Sequence, residues 1–311
     1  MGAWVPDISY VLPVYNKAAV LPFFIRSLRE QSGDFSAEYI FVDDASSDAS
    51  LSVLRAETAG LAHVKILENT ENKGPAIRLN QGAKAATGDF LVLFDCDEVI
   101  APNAVATLLG LARRHGADMV HGKWHKTADA IADIRPREIP AEPAAHIHTN
   151  PFKRALGRGL IRMTWLVERS LFANAGGCDE QVFIQDESLP LRLASQARCL
   201  VDTDAVVTWV PDEGSHLSDN KIQQHHDRFM TFYHFLRQHP QLDRVSRQKL
   251  GQKCISAARK ALRDGYAMPG LKIQIAYFGA KAGLIKADGA MLDDFYAAFN
   301  SIPAVRRPIS Q

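Results

Sequence analysis

Over its first 120 residues the chain alternates short, β-rich apolar runs with segments whose apolar residues recur at helical spacing, and that alternation leaves few folds open. Ile8 to Pro13 reads as a strand, Val20, Leu21, Phe24, Ile25 and Leu28 lie on one helical face, and Tyr39 to Val42 reads as the next strand. Asp48 can cap a helix carrying Leu51 and Leu54. Val64 to Leu67 follows as a strand, and Ile77 to Ala86 as a helix that leads through Thr87-Gly88-Asp89 into a strand at Phe90. Pro102 opens a helix with Val105, Leu108, Leu109 and Ala112 inward, and Met119 and Val120 close this half as a strand. The rhythm implies a parallel sheet.

From Trp124 to Gly159 the pattern dissolves into Pro, His, Arg and Glu, which reads as a long excursion that moves or covers a ligand. Regularity returns at Met163 to Val167, followed by a short helix from Arg169 to Ala175 stopped by Gly176-Gly177, a helix from Asp186 to about Ala197, and a strand from Cys199 to Val207. After Asp219 the chain is helical almost to its end, with Ile222, Phe229, Phe232, Tyr233 and Leu236 as an apolar stripe and Met268-Pro-Gly270 as a break.

The run Phe90-Leu-Val-Leu-Phe-Asp-Cys-Asp-Glu98 ends an apolar segment in two carboxylates spaced i and i+2. On an extended chain Asp95 and Asp97 point the same way and can converge on one cation, while Cys96 points elsewhere. Carboxylate oxygens without a His or Cys partner suit Mg²⁺ or Mn²⁺, and such an ion can neutralise a diphosphate. The competing reading of a lone Asp-x-Asp is a surface turn after a strand. Leu12-Pro-Val-Tyr-Asn16 and Phe41-Val-Asp-Asp-Ala-Ser-Ser-Asp48 are strand ends too, and in an open parallel sheet ligands bind outside the carboxyl ends of strands. Asp43, Asp44, Asp95 and Asp97 would then gather around one crevice, where acids accept from a pyrimidine N–H or ribose hydroxyls; N-capping and Asx turns are the alternative for Asp43 and Asp44.

Composition narrows the class. The 311 residues carry 36 Lys and Arg against 35 Asp and Glu, so nothing in the overall balance favours a nucleic acid. Cys96, Cys178, Cys199 and Cys254 are dispersed without a CxxC pair, which points to reduced thiols in the cytoplasm. No apolar run approaches the roughly 20 residues of a membrane-spanning helix, Met1 to Pro6 lacks the features of a signal peptide, and residue 6 is not the Ser or Thr of a myristoylation signal. Neither secretion nor lipid anchoring is expected.

Taken in order, the LPVYN turn, the VDDASSD strand end, Asn72-Lys-Gly74, Asn80-Gln-Gly82, Ala86-Thr-Gly-Asp-Phe90, the DCD element, Gly176-Gly-Cys-Asp179 and Gln185-Asp186-Glu187 resemble the motifs of a family-2 nucleotide-sugar glycosyltransferase, over roughly residues 6 to 217. The resemblance implies an α/β GT-A fold, a Rossmann-like mixed sheet flanked by helices. Residues 1–122 would form the nucleotide-sugar-binding half, 123–218 the acceptor-binding half and 219–311 a C-terminal helical region. By resemblance Asp44, with Asp43, contacts the nucleobase, the backbone of Pro13, Val14 and Tyr15 lines the uridine pocket, and Asn72, Gly74 and Asn80 belong to the nucleotide-binding elements. Asp95 contacts ribose or metal, Asp97 ligates the metal, and Asp186 is the catalytic base. His216, in Glu213-Gly-Ser-His-Leu-Ser218, is a further contact to metal or diphosphate, with a surface-loop histidine as the alternative. His121, His125, His146 and His148 stay unassigned, and Trp165 is expected in the core rather than on a sugar face.

The implied activity is inverting transfer, with Mn²⁺ or Mg²⁺, of a sugar from a nucleoside-diphosphate donor, UDP-linked by expectation, to a saccharide or glycolipid acceptor in surface polysaccharide synthesis. Two departures stand out: Gln185 replaces a common Glu before the base, and Leu79 stands where the family often has Arg, leaving Arg78 without a phosphate role. A nucleotidyltransferase would show a Gly-rich loop after the first strand, and Leu12 to Lys17 holds no glycine; dehydrogenase and P-loop signatures are absent. A non-catalytic sugar-nucleotide binding or scaffolding protein remains the alternative. For the Leu271 to Ile285 segment, packing on the catalytic domain or as a homodimer through the C-terminal helices is the expectation, and peripheral association with the inner face of a membrane the rival.

Overall fold

The computed structural model describes residues 4–157, 160, 162–212, 220–283, 286–287 and 289–307. Two compact units emerge: Met1–Gly177 with Leu193–Gly214, and Cys178–Arg192 with Ser215–Gln311.

The first unit is built on one sheet whose leading strands are β1 (Ile8–Val14), β2 (Ala37–Asp43), β3 (Val64–Glu68) and β4 (Phe90–Leu93), all mutually parallel in the order β3-β2-β1-β4. Parallel neighbours need crossovers, which α1 (Leu21–Arg29), α2 (Ser50–Thr58) and α3 (Pro75–Ala85) supply. The sheet then changes character. β8 (Trp165–Glu168) runs antiparallel to both β4 and β6 (Met119–Thr127), β9 (Leu200–Pro211) is parallel to β6, and β5 (Val99–Ile100) and β7 (Ala145–His148) pair antiparallel with β9. The alternation-based expectation of a parallel sheet therefore holds for its first four strands, and the whole is the mixed sheet of the GT-A expectation.

Apolar spacing is what fixes the helices. Leu21, Phe24, Ile25 and Leu28 of α1 are fully buried, as are Val105, Leu108, Leu109 and Ala112 of α4 (Ala104–His115), so the periodicity read from sequence is the core-facing stripe. Close approach explains Gly82 on α3, where a Cβ would come within 2.5 Å of Val11 Cγ1 on β1. The Ala86-Thr-Gly-Asp-Phe90 motif is a fold-holding element. Glu38 accepts from the Thr87 N–H at 2.6 Å, the Thr87 hydroxyl and Ser9 Oγ at 2.8 Å each, and Lys65 Nζ at 2.9 Å, while the Gly88 N–H donates to Ser9 Oγ at 2.9 Å.

Two local expectations are corrected. Asp48 is not the N-cap of α2; Ala49 is, and Asp48 instead accepts from the Ser50 and Ala18 N–H groups in the turn ahead of the helix. The excursion from Trp124 to Gly159 holds more regular structure than its composition implies: β6 runs on to Thr127, and β7 and α5 (Pro151–Ala155) follow. Asp202 on β9 gathers it, accepting from Arg154 Nε at 2.6 Å and lying 3.1 Å from His148 Nε2 and 3.6 Å from His121 Nδ1. These contacts give two of the unassigned histidines a structural place. Trp165 is wholly buried against His121, as expected of a core residue.

The second unit takes the start of α7 (Gln185–Gln196) and the helices α8 (Lys221–Gln238), α9 (Arg244–Arg263), α10 (Gly270–Lys281) and α11 (Ala290–Asn300). Asp243 caps α9 by accepting from the Val245 and Ser246 N–H groups, and Pro269-Gly270 starts α10 at the break seen in the sequence. Ile222, Phe229 and Leu236 of the expected stripe are buried on α8, with Phe232 and Tyr233 half-buried beside them. All four cysteines are free thiols, and no described helix is long and apolar enough to cross a membrane.

Candidate metal and nucleotide site

The strand ends β1, β2 and β4 carry turns that are knitted to one another. The Asp44 N–H donates to Val14 O at 2.8 Å, so the chain leaves β1 and β2 together. Asn16, at φ 51°, accepts from the Ser47 N–H at 2.8 Å and donates its own N–H to Ser46 Oγ at 3.0 Å. Lys17 then reaches from the β1 turn to the β4 turn, its ammonium paired with Asp97. Pro13 and Val14 end β1, and Tyr15, just beyond, is 39% exposed, so an open side chain stands next to the backbone expected to line a base pocket.

β4 stops at Leu93, and Asp95 to Glu98 lie on a turn rather than on the extended segment anticipated from their i, i+2 spacing. The turn still brings the acids together, and it adds one. Ligand oxygens of Asp95, Asp97 and Glu98 all lie within 4.8 Å of one another. Cys96, between the two aspartates in sequence, is buried. Glu98 is 1% exposed, faces Arg162 Nη1 at 3.6 Å, and has neither oxygen in a hydrogen bond among the described residues. Burial, with the Asp95 charge adding to it, pushes its carboxyl well above the usual carboxylate range. Burial acts in the opposite sense on Lys17, but Asp97 and then Asp95 outweigh it and hold the ammonium above its ordinary pKa. The set contains only oxygen ligands, includes in Glu98 a buried carboxylate outside any hydrogen bond among the described residues, and already attracts one cationic side chain, so it fits a hard divalent cation.

Asp43 and Asp44, side by side in sequence, have different surroundings. Asp44 is spent within the protein: Oδ1 accepts from Arg78 Nε at 2.6 Å and the Lys73 N–H at 2.8 Å, and Oδ2 from the Gly74 N–H at 2.8 Å. Arg78 also donates to Asn69 Oδ1 and Gln81 Oε1, and both members of the ion pair are buried. Arg78 is therefore the clamp of the loop before α3. Asp43 uses Oδ2 to accept from the Ser46 N–H at 3.1 Å, while Oδ1 is buried with no hydrogen-bond partner among the described residues. Gly74, at φ 88°, lets the loop turn into α3, and Asn72 is half-buried in that loop. Asn80 is buried next to Gly177, where a Cβ would come within 2.3 Å of Asn80 Oδ1, so the Asn80-Gln-Gly82 motif meets Gly177 in space.

In the second unit, Asp186 stands half-buried on the first turn of α7. Its neighbours are fixed from α8: Asp227 accepts from the Ile184 N–H at 2.8 Å, and Arg228 grips Glu187 with two donors. Asp179 pairs with His234 Nδ1 at 3.0 Å; burial would raise its pKa, but His234 outweighs that and lowers it. His216 lies outside the described residues. Sequence reasoning did not single out Glu98 or Lys17. Glu98 directly follows the Asp-x-Asp pair, and a third acid beside such a pair was the available signal; nothing in the sequence marks Lys17.

Comparison with known proteins agrees with this architecture. The family model described as glycosyl transferase family 2 matches residues 9–175. A prophage bactoprenol glucosyl transferase homolog from Escherichia coli K12 is 32% identical over 143 residues, 45% of each chain. The chain spans about half the length, or less, of the curated relatives it matches. Among solved structures, S. aureus TarS 1–349 in complex with UDP-GlcNAc superposes with a TM-score of 0.59 at 18% identity, covering 95% of this chain and 91% of that one. The mannosyltransferase PcManGT from Pyrobaculum calidifontis, in complex with GDP-Man and Mn²⁺, gives 0.57 at 17%, covering 96% and 88%. At such identities these two show the shared fold. With its mixed sheet, its acid-bearing strand ends and more than half of its length matched, the chain belongs to glycosyl transferase family 2.

Proposed function

We propose that the protein transfers a sugar, with inversion, from a UDP-linked donor to a saccharide or glycolipid acceptor, using a divalent cation held by Asp95, Asp97 and Glu98. One observation carries this reading: three carboxylates whose oxygens lie within 4.8 Å, one of them buried with neither oxygen in a geometric hydrogen bond among the described residues, on the turn after a central strand of a family-2 fold. Bound there, Mn²⁺ or Mg²⁺ would offset the charge that builds on a departing diphosphate. The chain's own groups do the rest. Asp43 Oδ1 is the acceptor for the N–H of a uracil ring, and Asp44 acts one step back by holding the Lys73-Gly74 backbone. Lys17 is a second positive charge for a phosphate oxygen once a cation replaces it on Asp97. Asp186 is proposed as the base that takes the proton of an acceptor hydroxyl as its bond to the anomeric carbon forms. UDP-GlcNAc on TarS and the bactoprenol relative's name support the donor and a lipid-linked acceptor respectively.

A thermal-shift panel of nucleotide sugars with and without Mn²⁺ identifies the donor, because ligands of the folded state raise apparent stability. Asp97→Ala is expected to abolish the metal-dependent shift. Asp186→Asn is expected to keep that shift and to lose turnover by about a hundredfold or more; unchanged turnover removes Asp186 from the mechanism.

A further inference from the structure

Helix α10 has an apolar surface on two sides. Ile273, Ala276 and Ala280 are buried inward, while Leu271, Ile275 and Phe278, at i, i+4 and i+7, are 78%, 56% and 61% exposed. A helix apolar all round is ordinarily covered all round. The only charges on α10 are Lys272 and Lys281, both exposed, and the Arg259 guanidinium of α9 lies 3.9 Å from the ring centre of Tyr277 and 6.0 Å from that of Phe278, at the border of the stripe. Lys272 meets Asp294 at 2.8 Å in an exposed, weakly held pair.

Charge around this ridge is not that of the whole chain. Residues 220–311 hold 15 Lys and Arg against 6 Asp and no Glu, whereas residues 1–219 hold 21 Lys and Arg against 29 Asp and Glu. α9 alone carries seven basic side chains and no acid, with Arg244, Lys249 and Arg263 exposed. A near-neutral protein thus concentrates its positive charge on the segment that leaves a ridge of large apolar side chains uncovered.

We propose that the exposed face of α10, Leu271, Ile275 and Phe278 with Arg259, Lys272 and Lys281 around it, docks the protein on an anionic lipid surface. Apolar side chains enter the acyl boundary while long basic stems carry their charges to the headgroups. Lipid is favoured over a second copy of the chain because pairing this face with itself brings two strongly basic segments together. It is favoured over an acidic protein because a convex ridge on a single helix enters a bilayer interface without needing a matching groove.

Vesicle flotation without nucleotide tests this independently of the donor chemistry. The 311-residue protein is expected to float with phosphatidylcholine vesicles containing phosphatidylglycerol, to bind phosphatidylcholine alone at least about tenfold more weakly, and to be released by high salt. The Leu271→Gln, Ile275→Gln, Phe278→Gln triple variant is expected to bind the anionic vesicles about tenfold or more weakly while keeping the wild-type circular dichroism spectrum. Anionic-vesicle binding unchanged in the triple variant overturns the proposal. So does failure of the wild type to bind, whether sedimentation finds a monomer, a dimer that the triple variant dissolves, or a complex with an acidic protein.

Discussion

At the residue scale the lesson lies in neighbours that look alike. Asp43 and Asp44 are equivalent on paper, yet Asp44 is saturated by Arg78, Lys73 and Gly74 whereas Asp43 keeps one buried oxygen without a donor among the described residues. Removing one partner of a buried ion pair leaves the other charge uncompensated, so Arg78→Met is expected to lower unfolding stability by about 3–5 kcal/mol, read by urea denaturation. Nucleotide binding would fall with it through the loop that carries Asn72 and Gly74. A loss well under about 1 kcal/mol would mean that Asp44 finds other donors and the clamp is not structural. The Asp-x-Asp pair was legible because chemistry restricts what acids behind an apolar strand can do. Glu98 was less so: it stands beside the pair in sequence, but the burial that makes it matter is a property of packing.

At the element scale the parallel half of the sheet was legible because β-rich apolar runs alternate with helical segments, of which α1 shows the clearest apolar stripe. β5, with two residues, and β7, with four, gave no such pattern. Both are recruited by β9, and β7 is further fixed by the contacts of His148 and Arg154 with Asp202, which link residues some fifty positions apart. The junction at Glu38 shows the energetics of such links. Burial alone would raise its pKa, but Lys65, Thr87 and Ser9 outweigh burial and hold the carboxyl down to about 2 from an ordinary 4.5. A depressed carboxylate contributes stability that is complete above its unfolded pKa and is lost as pH falls through the folded one. Glu38 is therefore expected to supply about 2–3 kcal/mol at neutral pH, vanishing between about pH 4.5 and pH 2. Stability differences between wild type and Glu38→Gln, followed across that window by denaturant titration, check it; a difference that does not shrink toward acid contradicts it.

At the scale of the whole molecule, a net charge of +1 conceals an acidic first part and a basic helical tail. Overall balance averaged away the feature on which the lipid-surface proposal rests. The fold and family were legible because their signals recur in order along the first two hundred residues. The role of the tail was not, because exposure of Leu271, Ile275 and Phe278 is a property of packing rather than of composition. Central to the functional account is a divalent cation on the turn after β4. Electron paramagnetic resonance titration of Mn²⁺ in the presence of UDP counts that ion directly. One tightly bound Mn²⁺ per chain is expected, weakened about tenfold or more by Glu98→Gln and abolished by Asp97→Ala. Equal Mn²⁺ binding in wild type and Asp97→Ala would contradict the account.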